Sequence, residues 1–527
     1  MLSRRHFISL AATGGLSLTL KNRSVAAISQ LFNKPLLQAS IYIDFANPEG
    51  LIDKAIYGQF IEHLGRAING GIFEEGSPLS DKKGIRLDVL EKIKQMQPTV
   101  LRYPGGTFTK IYHWMDGIGP LNERHGRPNL IWGGVENNHF GTDEAVAYSK
   151  IIGAEPYFSV NMGTAEEAGN WVEYCNGNQD TYYTNLRRKN GHIDPFKVKY
   201  WGLGNEEAAK PDIGRLQKVE DYVKEAWFYT KAMKLQDKSI KLILSGADDN
   251  AWNEYLLKEM GDVCDYISLH CYVGADKTKP ASLFPRIEKL EKNILDLKQK
   301  IQVLTPAKVA NFHRWYRFPP RPAPVKIAID ELGIWESGGG AYNLEDQYNW
   351  NHALGTATFF NIMQRQASVV GMATWAQTVN VLAPIMTSKT ASVCQTIYYP
   401  MQFYRKHAGN ISLKCEVKTS DIQMPGAEGA QVLDVSATLN DADGTLTLFV
   451  VNRHPELAVK TGLGNINSKK YNTVKVYELN AATILAINTL EQPQKNVVIA
   501  SERKLNGVVS EYTFPAHSIS ALVFKKV

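Results

Sequence analysis

The sequence predicts an α/β protein built as a (β/α)8 barrel followed by a β-sandwich, and three observations carry that prediction. The chain has 527 residues, enough for a barrel of about 250 residues or more with a smaller second domain. Short apolar runs alternate with helical patterns eight times. After about residue 400 the runs become short, β-rich and separated by Asn, Asp, Gly and Pro, the pattern of a sandwich.

The β-type runs are Ala55–Glu62, Thr99–Gly105, Pro156–Met162, Val198–Glu206, Lys241–Ala247, Tyr266–Tyr272, Lys326–Glu331 and Gly371–Ala376. Most are continuously apolar, as expected of strands buried on both faces. Between them, Leu87, Leu90, Ile93 and Met96 recur at helical spacing and stop before Pro98. Val219–Gln236 and Leu283–Leu304 are further amphipathic helices, the latter followed by the Pro-rich loop Phe318–Pro324. An open doubly wound sheet is the alternative, but no G-x-G-x-x-G follows any run. The sandwich strands fall at Gly444–Val451, Thr473–Glu478, Asn496–Ala500 and Ser518–Phe524. Ala39–Phe45 alternates as a strand outside the barrel count and is expected to pair into the sandwich. The predicted partition is residues 1–27, 39–54 for that strand, 55–395 for the barrel and 396–527 for the sandwich.

Residues 1–27 read as an export signal. Arg4-Arg5 with Phe7 precede an apolar stretch from Ile8 to Leu20 and the small-residue run Ser24-Val25-Ala26-Ala27. The paired arginines resemble a bacterial twin-arginine signal, which places the mature protein in the periplasm or outside the cell. An uncleaved anchor is disfavoured because the stretch is too short to span a bilayer. Removing the segment takes away Arg4, Arg5, Lys21 and Arg23 and lowers the formal charge from +6 to +2. That near-neutral remainder gives no footprint for nucleic acid, and no internal apolar run is long enough for a membrane span. Five cysteines form no C-x-x-C pair, so neither a disulfide scaffold nor a zinc site is indicated.

Barrel enzymes carry their reactive groups where strands end at the C-terminal face. The fourth run ends in Gly204-Asn205-Glu206 and the seventh in Asp330-Glu331. Two carboxylates on opposite sides of one barrel mouth suit a retaining glycosidase. Such an enzyme needs an acid/base, here Glu206, and a nucleophile, here Glu331, about 5 Å apart across a sugar. Exposed strand-end glutamates in salt bridges are the alternative. Glu207 and Asp330 compete for the same roles, but alternation along a strand should turn only one of each adjacent pair inward. Around them, Asn205 suits the sugar 2-hydroxyl, Arg102 could orient the nucleophile, and Tyr272 could hydrogen-bond it. Glu62 and Gln377 could hold hydroxyls, and Gly105-Gly106 would let backbone approach the ligand. Trp114 offers a stacking face, although a lone Trp is more often core. His270 reads equally as a framework or a site histidine, and His63, His113 and His139 lack metal-ligand spacing.

From about residue 39 onward the sequence resembles the α-L-arabinofuranosidases of glycoside hydrolase family 51. The resemblance is carried by Tyr57-Gly58-Gln59-Phe60-Ile61-Glu62-His63-Leu64-Gly65-Arg66, Leu101-Arg102-Tyr103-Pro104-Gly105-Gly106, Asp116-Gly117-Ile118-Gly119-Pro120 and Asn138-His139-Phe140-Gly141. It continues in Gly204-Asn205-Glu206, Asp330-Glu331, Gln377 with Val379–Ile385, and Pro515-Ala516-His517-Ser518. It implies a barrel with a sandwich, retention of configuration, and Glu206 and Glu331 in the roles above. It also implies that Glu62, Arg102, Asn205, Tyr272 and Gln377 contact or support an arabinofuranosyl unit. No cofactor or metal is expected. The expected partner is an arabinose-containing oligo- or polysaccharide, and members of the family are often homo-oligomers.

Three departures stand out. Thr107 replaces the family's usual Asn, so a shorter side chain faces the sugar. Glu207-Ala208-Ala209-Lys210-Pro211 replaces the usual Met-Asp-Gly on the leaving-group side, and Trp375 stands where a smaller or polar residue is common. The readings kept beside arabinofuranosidase are a related retaining glycosidase acting on another furanoside, a xyloside or a β-glucan, and a non-catalytic carbohydrate binder.

Overall fold

The computed structural model describes residues 37–526, apart from 210–213, 217, 277, 306–320, 322, 337–343, 420–423, 425, 428 and 467–470. The export-signal reading of residues 1–27, Lys210 and Pro211, and most of the Phe318–Pro324 loop lie outside the described residues.

Eight strands close into a barrel: β1 (Gly58–Phe60), β2 (Val100–Tyr103), β3 (Glu155–Val160), β4 (Tyr200–Leu203), β5 (Lys241–Leu244), β6 (Tyr266–Val273), β7 (Lys326–Ile334) and β8 (Val370–Ala376). Neighbours are parallel throughout, with β8 pairing back to β1. A layer of inward side chains, including Val100, Tyr157, Tyr200, Ile243, Tyr266, Ala328 and Met372, fills the interior. The α/β barrel expected from the alternating runs is therefore present, and strand burial on both faces explains why those runs read as continuously apolar.

Local chemistry sets the element ends. Helix Leu87–Met96 buries Val89, Leu90, Ile93 and Met96 and stops at Gln97, whose left-handed backbone donates its N–H to the Ile93 carbonyl. Helix Leu283–Leu304 buries Phe284, Ile287, Leu290, Ile294, Leu297 and Ile301, one stripe at helical spacing. The first strand is shorter than expected. Asp53 accepts the Ala55 N–H and caps a 3-10 turn over Lys54–Tyr57, leaving only Gly58–Phe60 extended.

Nine strands form a second, continuous sheet. Its order is Ile499–Asn506, Tyr471–Asn480, Ile519–Lys526, Leu446–Asn452, Leu433–Leu439, Ile411–Thr419, Leu37–Leu51, Val459–Leu463 and Glu511–Phe514. Leu37–Leu51 runs antiparallel to Ile411–Thr419 and parallel to Val459–Leu463, so the start of the described chain is held inside the C-terminal sheet. Helix Trp350–Arg365 is wedged between barrel and sheet and is buried almost all round. Its Asn361 amide donates to the Asp434 carboxylate at 2.6 Å, and its Gln364 accepts from Ser436 Oγ. Helix Tyr398–His407 touches both parts: Tyr398 donates to the Lys92 carbonyl, and Tyr404 stacks on Phe449 of the sheet. The helix therefore lies at the junction of barrel and sheet, next to the boundary expected at residue 395. The Tyr398, Met401, Phe403 and Tyr404 side chains need that two-sided cover.

Candidate active site

The strand ends bring most of the expected residues together. Arg102, the third residue of β2, is buried and is the hub. Its Nη1 donates to Glu331 Oε1 at 2.8 Å and to the Asp330 carbonyl, its Nη2 to Asn205 Oδ1 at 2.7 Å, and its Nε to Ser159 Oγ. A guanidinium fork alone can hold β3, β4 and β7 in this way. Tyr272 donates to the other oxygen of Glu331 at 2.8 Å, so both nucleophile-candidate oxygens are fixed.

Glu206 lies beyond the end of β4, at φ +46°, in the left-handed region that non-glycine residues seldom occupy. His270 Nδ1 lies 3.0 Å from Glu206 Oε1 and 3.6 Å from Glu331 Oε2, and its Nε2 faces Asp330 Oδ1 at 3.3 Å. Donor atoms of Glu206, His270 and Glu331 all fall within 4.8 Å of one another. His270 therefore sits between the two candidate glutamates. Burial alone would lower its pKa, but the charge of Glu331 and hydrogen bonds to Asp330 and Glu206 raise it well above the usual histidine value. Burial likewise raises Glu206, yet the His270 hydrogen bond and the charges of His270, Arg102 and Lys110 outweigh it and hold Glu206 low.

The far wall is made by Glu62, buried just past β1. Its carboxylate accepts from the Phe108 N–H at 2.8 Å, the Trp132 indole at 3.1 Å and the Gln377 amide at 2.9 Å. Burial, then repulsion from Glu331, push its pKa up to about 7. Asn205 Nδ2 beside Arg102 and Gln377 Oε1 beside Glu62 are buried and have no hydrogen-bond partner among the described residues. A donor and an acceptor left open in a buried site are what a sugar hydroxyl would satisfy. Beside Glu206, an open cavity of about 420 Å³ is lined by Ala208, Ala209, Ala247, Trp252, His270 and Tyr272.

Several expectations change. Asp330 is not turned away. A bulge in β7, seen as register shifts between Ala328 and Glu331 and between Ile329 and Leu332, lets both acidic side chains enter the barrel. Asp330 accepts from Tyr157 at 2.6 Å, and Arg102 and His270 keep its pKa low against the upward push of burial. Gly105 and Gly106 pack on carboxylates rather than leaving backbone open to a ligand. A Cβ on Gly106 would lie 2.9 Å from Glu331 Oε1 and 3.0 Å from Glu62 Oε2. Trp114 is buried at 1% exposure, stacks on Trp171 and donates to the Glu167 carbonyl, so no ring face is open to a sugar. Trp375 is buried, donates to the Leu382 carbonyl and packs edge-on against Phe359. Thr107 opens the 3-10 turn Thr107–Ile111 and is half-buried; the turn aims the Phe108 amide at Glu62. Trp132, Asp330, Tyr157 and Lys110 are site residues that sequence reasoning did not select. The bulge has no sequence signature, but Trp132 beside Gly133-Gly134 in a barrel loop was a findable signal.

A closed parallel barrel with paired glutamates at its C-terminal mouth defines a glycoside hydrolase of the barrel type. The family models agree. Residues 92–289 match the α-L-arabinofuranosidase 1 domain, and residues 330–518 match the α-L-arabinofuranosidase C-terminal domain. The chain is 37% identical to a probable α-L-arabinofuranosidase C of Aspergillus niger, over 92% of this chain and 97% of that one. It is 33% identical to an intracellular exo-α-(1→5)-L-arabinofuranosidase of Halalkalibacterium halodurans, over 79% and 85%. A solved family 51 α-L-arabinofuranosidase from Thermotoga petrophila superposes with a TM-score of 0.81 at 35% identity, covering 92% of this chain and all of that one. The chain belongs to the α-L-arabinofuranosidases of glycoside hydrolase family 51.

Proposed function

We propose that the enzyme is a retaining, exo-acting α-L-arabinofuranosidase that removes terminal arabinofuranosyl units from arabinan, arabinoxylan or their oligosaccharides. The observation that supports it best is the approach of Glu206 and Glu331 oxygens to within 4.8 Å, because retaining enzymes hold their carboxyls about 5–5.5 Å apart and inverting ones farther. The relative named for exo-α-(1→5) cleavage favours the ends of α-(1→5)-linked arabinofuranosyl chains among the substrates.

In the first step a Glu331 oxygen attacks the anomeric carbon while Glu206 gives its proton to the departing glycosidic oxygen. His270 Nδ1 lies 3.0 Å from Glu206 Oε1, close enough for the imidazole to hand the acid its proton. Transfer from His270 Nδ1 to Glu206 Oε1 readies the acid as the sugar oxygen approaches. In the second step Glu206 takes a proton from water, the hydroxide attacks the anomeric carbon, and Glu331 leaves as the carboxylate. Asn205 Nδ2 binds the 2-hydroxyl, and Glu62 and Gln377 hold hydroxyls at the closed end. The cavity beside Glu206 takes the leaving saccharide. The charged, apolar and small-residue pattern of residues 1–27 supports export of the mature enzyme.

The test is hydrolysis of nitrophenyl α-L-arabinofuranoside, with the anomer formed first read by NMR. Glu331→Ala should lose essentially all turnover. Glu206→Ala should keep measurable activity on this good leaving group and be rescued by azide, giving the azide of retained configuration. Mild, equal losses in both variants, or a first-formed inverted sugar, would refute the assignment.

A further inference from the structure

Glu206 is held at φ +46°, and the backbone just before it, Gly204, also has positive φ at +79°. Such a turn needs support from outside itself. Below it lies the Glu207 carboxylate, buried at 1% exposure, which accepts from the Asn205, Arg215 and Leu216 amides while the Glu207 N–H donates to Ser245 Oγ. Lys110, from the 3-10 turn after β2, reaches across to this turn. Its Nζ donates to the Asn205 carbonyl and, at 2.9 Å, to Glu207 Oε1. One ammonium therefore grips the residue before Glu206 and the residue after it.

We propose that Lys110 is a positioning residue for the acid/base: its paired grip on Asn205 and Glu207 fixes the turn that aims Glu206 at the glycosidic oxygen. The proposal rests on Glu206 being that acid/base. The geometry also accounts for a buried charge. Glu207 sits in a buried position, where a lone carboxylate is costly, and Lys110 is the cation that offsets it. The same charge lies close enough to contribute to the low pKa of Glu206.

Lys110→Met, Lys110→Arg and Glu207→Gln, with Glu206→Ala as reference, would be assayed on aryl α-L-arabinofuranosides of graded phenol acidity. Departure of a poor leaving group needs a well-aimed proton, and that of a good one does not. Lys110→Met should cut kcat/KM about tenfold more on the least acidic phenol than on the most acidic. Its alkaline limb should move to higher pH, since a positive charge beside Glu206 has gone. Lys110→Arg should restore part of the loss. Glu207→Gln should reproduce the leaving-group dependence, which guards against a Lys110→Met protein that melts too early to assay. A loss equal for all phenols with an unmoved alkaline limb would mean packing alone and overturn the proposal, as would wild-type kinetics. If Glu206→Ala itself shows no leaving-group dependence, the acid/base assignment falls and the proposal falls with it.

Discussion

Replacing Gly106 by alanine should cripple the site with the smallest possible change in composition. The added Cβ would lie 2.9 Å from Glu331 Oε1 and 3.0 Å from Glu62 Oε2, against ordinary contacts of about 3.5 Å or more. Relief therefore needs a shift of about 0.5 Å in one or both carboxylates. Free carboxylates would swing aside cheaply, but these are pinned. Glu331 is held by Arg102 and Tyr272, and Glu62 by the Phe108 amide, Trp132 and Gln377. Since misplacement by about 1 Å costs on the order of a hundredfold, the variant should lose about tenfold or more in kcat. The unfolding cost should be about 1–3 kcal/mol, the usual range for overpacking. Steady-state kinetics on nitrophenyl α-L-arabinofuranoside and a thermal melt would measure both. A Gly106→Ala enzyme with kcat within about twofold of wild type and an unchanged Tm would refute the idea that these carboxylates are immobile.

Other expectations are briefer. Glu62 has a pKa raised to about 7, so the native state holds its proton more tightly than the unfolded chain. The stabilising effect of that proton is complete below the ordinary carboxyl value and is lost as pH rises through about 7. Melts from pH 4.5 to 8 should accordingly show a decline in the wild type that Glu62→Gln flattens; parallel profiles would contradict it. Arg102→Lys keeps the charge but loses the fork joining Glu331, Asn205, Ser159 and the Asp330 carbonyl. It should cost about 3–5 kcal/mol in stability and most of the turnover, read by denaturant titration and kcat. Trp114→Phe should lower Tm through lost aromatic packing while leaving KM within about twofold. A large rise in KM at unchanged kcat would restore the stacking role.

The parts of the fold that were legible in the sequence are those whose cause is periodic and local. Helices Leu87–Met96, Val219–Gln236 and Leu283–Leu304 match the predicted ranges because an apolar stripe and a local breaker define each end. The barrel strands were legible because burial on both faces makes them apolar throughout. Leu433–Leu439 was missed, as were Val459–Leu463, Ile411–Thr419 and Glu511–Phe514. The first carries Asp434, Ser436 and Thr438, which serve the barrel helices through hydrogen bonds such as Asn361 to Asp434, so a buried strand reads as polar.

The site divides along the same line. Glu206, Glu331, Arg102 and Tyr272 stand near the ends of strands, where counting runs suffices to place them. Asp330 was discounted because alternation assumes an unbroken pleat, and a single bulge in β7 cancels that assumption. Trp114 failed in the opposite direction. Its neighbours Trp171, Tyr174 and Tyr183 come from two helices distant in sequence, and they close the ring face that composition alone left open. Charge pairing across loops is the least legible feature. Lys110 and Glu207 lie 97 residues apart, and each taken singly reads as a solvated surface charge. Only the fold shows that Glu207 is buried and that Lys110 is the cation beside it. For that reason the support of the turn around Glu206, more than Glu206 itself, was hidden from the sequence.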